Sequence, residues 1–576
     1  MVSTLGLPGV ERTGGPMGVR ESVRESNTAL GEVFRNPNLR RLNLALAGSV
    51  IGDWAYAVAV SVYAYTRGGP TAVGALGVVR FVSMAVLAPF TAMLADRFDR
   101  KHVMLSADAV RAVLVLIAAL VIVGDGPPIV VYGLAVFTSL AGTAFRPAQA
   151  AMMPSLANHP GELTAANVAS STIESVGFFL GPAIGGLLLA VTGIAAVYVF
   201  DAVTFVWSAV MVIGLRTPPR DSDTGAASPI ATSDDDEEPT SRISAFAGAG
   251  DGYREIFKSR DIRLLVGLYC AQTVVAGASL VFGVAIALDL LDLGTGGVGL
   301  IDSAVGVGGL IGGFVALMLA QRGKLARDFG LGVILWAAPL LLIAAWPTLA
   351  SALIAMAVVG LANSVVDVNA FTILQRLVPD PVMGRVFGAI ESATIGGMAL
   401  GALLMPILIN TIGLRGGLVV IGVSVSVIVV LGTAGLHRID RVALAPEGLD
   451  LVKGVEMLGV LPEKVIERLA RSAKIVTVAS GQTVFNEGDG GDLFYIIESG
   501  TVDVVIRDEH IRTLSAGESF GEIALLRDIP RTATITATSD LVARTIERDQ
   551  FLHAVTGNGD AAAQADVVVG RLLAIR

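Results

Sequence analysis

Near the end of the chain runs Ser519-Phe520-Gly521-Glu522-Ile523-Ala524-Leu525-Leu526-Arg527-Asp528-Ile529-Pro530-Arg531-Thr532-Ala533-Thr534, whose residue types and spacing suit one small cyclic phosphate. Glu522 can accept hydrogen bonds from a sugar hydroxyl, and Arg531, just after a proline, can clamp a phosphate oxygen. A short helix from about Ile523 would turn free backbone N–H groups, including that of Ala524, toward the same anion. A second set of reactive types lies far upstream, as charges set inside apolar runs: Asp53, Arg80, Arg111, Arg146, Glu174, Asp302, Asp367 and Glu391. In low dielectric a carboxylate either takes up a proton or pairs with an arginine.

The surrounding elements explain why those charges matter. Of 576 residues, 53% are hydrophobic and only 16% charged, with a mean hydropathy of +0.71. Such a chain reads as a polytopic membrane protein rather than a soluble one. The single cysteine, Cys270, sits in an apolar run, so no intrachain disulfide forms and cysteine metal sites are not expected. The net charge of −9 is modest for this length, and an acidic stretch contributes to it. No nucleic-acid partner is expected.

Residues 1–35 have no apolar core and read as a loose cytoplasmic tail. Apolar runs follow near 42–65, 71–94, 103–123, 128–150, 166–191 and 194–215, then near 263–290, 298–320, 329–346, 349–373, 386–411 and 415–436. Each approaches or exceeds the ~20 residues of a spanning helix, which predicts two sets of six within the bilayer. Basic residues gather in alternate loops, with Arg40, Arg41, Arg100, Lys101, Arg220, Lys258, Lys324 and Arg385 on one side and only Arg67 and Arg415 on the other. That bias predicts cytoplasmic termini. Residues 217–260, with Ser-Asp-Asp-Asp-Glu-Glu at 233–238, read as an acidic cytoplasmic linker between the halves 36–216 and 261–436.

The halves repeat each other. Met93-Leu94-Ala95-Asp96-Arg97 corresponds to Met318-Leu319-Ala320-Gln321-Arg322, and Ala144-Phe145 with Gln149 to Ala370-Phe371 with Gln375. Ile173-Glu174-Ser175 corresponds to Ile390-Glu391-Ser392. Three matches in one order indicate a duplicated six-helix unit, the plan of transporters built around a midplane site.

On these residues, 36–436 resembles the major facilitator superfamily, in particular its multidrug-efflux-like branch. The family's loop Gly-x-Leu-Ala-Asp-Arg-x-Gly-Arg-Lys is met by Asp96, Arg97, Arg100 and Lys101, with Ala92 and Asp99 in place of both glycines. The resemblance implies a cytoplasmic charge gate there. Gly177, Gly181-Pro182 and Gly185 are similar to the family's antiporter motif, although glycines four apart also serve plain close packing. Arg146-x-x-Gln149 resembles the fourth-helix arginine motif. Each intramembrane charge costs about 2.5–3.5 kcal/mol on insertion scales. As proton carriers Asp53, Glu174 and Asp367 come first, and Glu391 is the symmetry mate of Glu174.

After a linker at 437–449, residues 449–473 show helical periodicity, and from Ile475 short apolar strands alternate with glycine turns as in a small β-roll. With Glu487-Gly488-Asp489, Phe-Gly-Glu and Pro-Arg-Thr-Ala in place, 450–576 resembles the cyclic-nucleotide-binding domain of catabolite activators and kinase regulatory subunits. The resemblance implies that Gly521, Glu522, Ile523, Ala524, Arg531 and Thr532 hold cAMP. Thr532 can also donate to guanine, which keeps cGMP as an alternative. A C-terminal helix at 567–573 is the expected lid.

The expectation is thus a twelve-helix, six-plus-six α-helical membrane protein with a C-terminal α+β domain. It would be a proton-coupled transporter of a small amphipathic or drug-like molecule, in the inner membrane, regulated by cytoplasmic cyclic nucleotide. The alternative is a membrane-anchored nucleotide sensor without transport. No Walker loop, catalytic triad or metal cluster is found, so neither an enzyme nor a cofactor is expected.

Overall fold

The computed structural model describes residues 35–216, 243–320, 324–378, 382–443 and 446–573. Residues 1–34 of the tail expected over 1–35, and the acidic stretch at 233–238, lie outside the described residues. The chain divides into two compact units, Met1–Ala443 and Leu444–Arg576.

In the first unit ten helical stretches among the described residues are long and apolar enough to cross a membrane. Helix α1 (Pro37–Arg97) spans 61 residues and is broken at Gly68 and Gly69. Unbroken, it would be about 90 Å long, three times the hydrocarbon thickness. The break falls where the apolar runs 42–65 and 71–94 part, and Gly69 takes φ +63°, a conformation that costs glycine little. The chain continues as α2 (Arg100–Val123), α3 (Pro128–Gly142), α4 (Phe145–Leu156), α5 (Pro160–Val191) and α6 (Ile194–Ile213). Asp99 needs no glycine-like turn. It lies at φ −61° and caps α2, its carboxylate accepting from the His102 backbone N–H at 3.1 Å.

The second half contains α7 (Ile243–Lys258), α8 (Arg260–Ala285), α9 (Gly294–Ala320), α10 (Leu325–Ala337), α11 (Pro339–Ala345), α12 (Leu349–Leu377) and α13 (Met383–Ala443), the last broken at Gly413. Two linker boundaries differ from the sequence reading. The linker expected over 217–260 is helical from Ile243, because Phe246, Ala249, Tyr253 and Ile256 repeat at helical spacing. Ile256 is buried, and Gly252 lies so close to the Arg385 carbonyl that a Cβ there would meet it at 2.2 Å. The linker expected over 437–449 is helical through Ala443. Ile439 is wholly buried, and the Asp440 carboxylate accepts the backbone N–H of Ala326 at 2.7 Å, which ties the helix end to the start of α10.

The glycines of Gly177, Gly181 and Gly185 set the packing of α5. A Cβ at these positions would meet Val50, Trp54 and Ala55 of α1 at 2.5, 2.4 and 2.8 Å. Gly186 makes an equally close approach to Gly299 of α9, at 2.8 Å, which joins the two halves. Gly401 on α13 does the same against the Val274 carbonyl of α8, so both halves use the device.

The second unit begins with α14 (Leu449–Gly454) and α15 (Glu463–Ser472). Strands β1 (Lys474–Val478), β2 (Thr483–Phe485), β3 (Leu493–Ser499), β4 (Val502–Ile506), β5 (Glu509–Leu514) and β6 (Ser519–Phe520) follow. Then come α16 (Glu522–Arg527), β7 (Thr534–Ala537), β8 (Leu541–Glu547), α17 (Arg548–Thr556) and α18 (Gly559–Leu573). Two antiparallel sheets, β1-β8-β3-β6 and β2-β7-β4-β5, enclose a core of Tyr495, Ile497, Val502, Leu514, Phe520 and Ile535. The helices share a separate core with one face of the strands, which includes Leu525 of α16, Val452, Leu458, Phe494 and Phe551.

Candidate functional site

In the second unit the turn residues come first. Gly521 caps α16 at φ +93°, and a Cβ there would meet the Arg531 guanidinium at 2.6 Å. Glu487-Gly488-Asp489 grips the backbone of Arg531 from both sides: Gly488 donates to its carbonyl and Asp489 accepts from its N–H, each at 2.8 Å. The arginine is therefore positioned by its main chain. Its guanidinium donates to the Gly521 carbonyl at 2.9 Å and the Leu493 carbonyl at 2.7 Å, and lies 4.2 Å from the centre of the Phe485 ring. Its Nε has no partner. Burial pulls it below the ordinary arginine value, opposed by Tyr495 and Glu522.

Glu522 is buried beside it, with Oε2 lacking a hydrogen-bond partner. Burial pushes its carboxyl up to about 7, against the pull of its own backbone N–H, Arg512 and Arg531. Gly521, Glu522, Ile523, Ala524, Arg531 and Thr532 all line one cleft, together with Phe485, Val504 and Leu514. The six residues singled out from sequence thus converge. Sequence reasoning missed Arg512, a second cation on the cleft wall from β5. Strand alternation alone would have placed it on the inner face with Leu514.

The expected lid at 567–573 belongs to α18, which the Gly557–Asn558 break separates from α17. The cleft is lined by strand residues, by α16 and by the loop that carries Arg531 and Thr532, and among the described residues by none from α18. Instead α18 ties to the helical core: Arg527 of α16 pairs with Asp566 at 3.3 Å, and Gln564 donates to Glu456 at 3.0 Å.

In the membrane unit the expected gate residues divide. The side chains of Asp96 and Arg97 lie outside the described ones. Arg100 donates to the Ala151 carbonyl at 2.6 Å, and Lys101 to the Ile213 and Leu215 carbonyls at 2.9 and 2.8 Å. Lys101 is thus a cation at the C-terminus of α6, where the helix dipole favours it, whereas Arg100 bonds inside α4. Arg146 pairs with Glu174, both half exposed, so Glu174 is half of an ion pair. Gln149 is buried, with its Nε2 lacking a partner. The repeat puts Thr372 where the first half has Arg146, and Glu391 is exposed. Asp367 accepts from the Tyr269 hydroxyl at 2.9 Å and from Asn363 at 3.0 Å.

Asp53 pairs with the buried Arg111, which also stacks on Phe205 at 3.9 Å. Two further acids converge here that sequence reasoning missed, Asp108 of α2 and Asp201 of α6, both wholly buried. The signal was available, since Asp201 stands alone in its apolar run and Asp108 lies three residues before Arg111 in another.

A family model described as Major Facilitator Superfamily matches residues 42–327 and 268–486, and one described as Cyclic nucleotide-binding domain matches 475–558. Among curated proteins, the cAMP-dependent protein kinase regulatory subunit of Yarrowia lipolytica is 39% identical over 102 residues, covering 17% of this chain and 27% of that protein. The cGMP-dependent protein kinase of Eimeria tenella is 42% identical over 107 residues, covering 19% of this chain and 10% of that one. The chain therefore spans about a quarter and a tenth of the lengths of these relatives. Among solved structures, a POT family transporter in complex with a thioalcohol-conjugated peptide shares the fold at a TM-score of 0.55 and 13% identity, over 70% of this chain and 96% of that one.

Proposed function

Because the chain belongs to the major facilitator superfamily, as a multi-pass membrane protein that carries a C-terminal cyclic nucleotide-binding domain, we propose that it is a nucleotide-regulated secondary transporter. It moves a small amphipathic or drug-like molecule by proton coupling, with both termini in the cytoplasm. The multidrug-efflux-like branch is part of this proposal, resting on the Asp96–Lys101 loop and the glycines of α5.

The observation that carries the regulatory reading is the convergence of Glu522 and Arg531 on one cleft, with the Arg531 guanidinium bonded to neutral carbonyls. A cyclic phosphate would supply the anion that guanidinium lacks as a direct partner, and a ribose hydroxyl would satisfy Oε2 of Glu522. cAMP is the first ligand to test. Arg512 on the cleft wall favours a second reading, cGMP, because a guanidinium donates to both O6 and N7 of guanine but meets a donor at N6 of adenine.

Regulation requires the nucleotide to bind one transporter conformation better than another, with a coupling of ~1–3 kcal/mol. Chain order supports a route, since α14 follows α13 after a short connection and shares its core with α16. The test is flux of a fluorescent amphipathic dye, ethidium, in vesicles loaded with cAMP or cGMP. Nucleotide should change the flux severalfold, and Arg531→Ala should abolish the change. Dye flux indifferent to nucleotide in the wild-type chain would refute the regulatory reading.

A further inference from the structure

Three carboxylates and one fully buried arginine meet between α1, α2 and α6. Arg111 bonds Asp53, and the carboxylates within its electrostatic reach are Asp53, Asp201 and Asp108. Asp108 is wholly buried, with the Ser208 hydroxyl beside its carboxylate, and among the described residues it makes no ion pair. Asp201 is also wholly buried. Its Oδ1 takes a 3.4 Å contact from Thr204, and its Oδ2 has no partner. Arg111 Nε is likewise unpartnered. Gly52 is what lets α1 approach: a Cβ there would stand 2.5 Å from Asp201 Oδ1 and 2.0 Å from Thr204 Oγ1. The other groups facing the cluster are Tyr56 and Ser49 of α1, Arg80 of the second leg of α1, Tyr198 of α6 and Thr138 of α3.

The charge balance decides what this arrangement holds. Asp53, Asp108 and Asp201 bring three negative charges when ionised, and Arg111 and Arg80 bring two positive ones. An ionised carboxylate sealed from water without a dedicated counter-ion is strongly disfavoured. Asp53 already has its guanidinium, so the deficit falls on the other two.

We propose that Asp108 and Asp201 together hold one exchangeable proton, the one coupled to transport, and that Arg111 is the positioning residue controlling its release. Uptake forms an O–H bond on an oxygen of this pair and makes the cluster neutral. When Arg111 shifts from Asp53 toward the pair, its fixed charge replaces the proton, which leaves to water. This rests on the transporter reading above, and it moves the coupling role from Asp53 and Glu174, both held in ion pairs, to two acids that are not.

The test is infrared difference spectroscopy of the full chain in lipid nanodiscs, titrated from neutral to alkaline pH. The wild-type chain should show one protonated-carboxyl band that is lost on alkalinisation. Asp108→Asn and Asp201→Asn should each remove it, Asp53→Asn should retain it, and Asp108→Glu should restore a folded chain with a shifted band. Arg111→Lys, which keeps the charge but loses the fork, should move the midpoint of the titration. A band unchanged in both Asn variants, or one displaced at fixed pH by sodium chloride but not by potassium chloride, would overturn the proposal, the latter by assigning the site to sodium. Ethidium-driven proton movement in proteoliposomes separates the two levels. If it is absent while the band titrates, the transport reading fails and the proton site stands. If it persists in both Asn variants, the site assignment fails and transport stands.

Discussion

Arg111 in the membrane bundle and Arg531 in the nucleotide cleft are built alike and used differently. Both are buried, both lie over a phenylalanine ring, and both have a carboxyl nearby with an unpartnered oxygen. They differ in what holds them. Arg531 is fixed by backbone groups of two glycine-containing turns and donates to carbonyls, which leaves its charge for an incoming anion. Arg111 donates to a carboxylate from another helix, so its charge is already committed within the bundle. A stationary arginine suits ligand capture, whereas a shared one suits a switch.

The comparison predicts unequal losses. Arg111→Ala removes the guanidinium faced by half-exposed Asp53 and by the two wholly buried acids, Asp108 and Asp201, so its loss should be the largest of the set. The full-length protein in detergent should show a large drop in thermal midpoint, and a drop no greater than that of Arg146→Ala would break the contrast. Arg531→Ala removes charge-assisted bonds to the ligand rather than a structural pair. By calorimetry on the full chain it should weaken cyclic-nucleotide binding by about 10- to 100-fold, with little change in the fold.

Glu522 sharpens the contrast through pH. Its folded value, raised from 4.5 to about 7 by burial, means that the folded domain holds this proton more tightly than the unfolded chain. Its contribution to stability is fully present below pH 4.5 and fades as pH rises through about 7. Without nucleotide, melting of this domain in the full chain should fall across that window, and Glu522→Gln should flatten the fall. An unchanged slope in the variant would show that Glu522 is ionised throughout. The smallest effect is expected for Arg146→Ala, whose pair with Glu174 is half exposed. Such pairs contribute about 0–1 kcal/mol, so melting should barely move.

The cleft was legible because its residues are close in sequence. Gly521, Glu522 and Arg531 lie within one short stretch, and positive-φ glycines mark where the backbone turns toward the ligand. The apolar runs were legible for a related reason, since crossing a bilayer demands length and composition that each segment carries by itself. The two linkers were misread where local polarity hid an apolar face, as at Tyr253 and Ile256, or where one aspartate, Asp440, tied a helix end to a distant one.

What the sequence determined alone is therefore the two-part plan, the membrane character and the local chemistry around Arg531. The tertiary structure decided which charges meet. Helical spacing puts Asp108 and Arg111 on one face of α2, but Asp53 and Asp201 come from two other helices, and no spacing rule links those to it. Their meeting depends on close helix approach, such as that at Gly52, and on side chains that find one another only after the bundle has closed. A turn brings neighbours together by backbone geometry, whereas a buried charge cluster is assembled by packing.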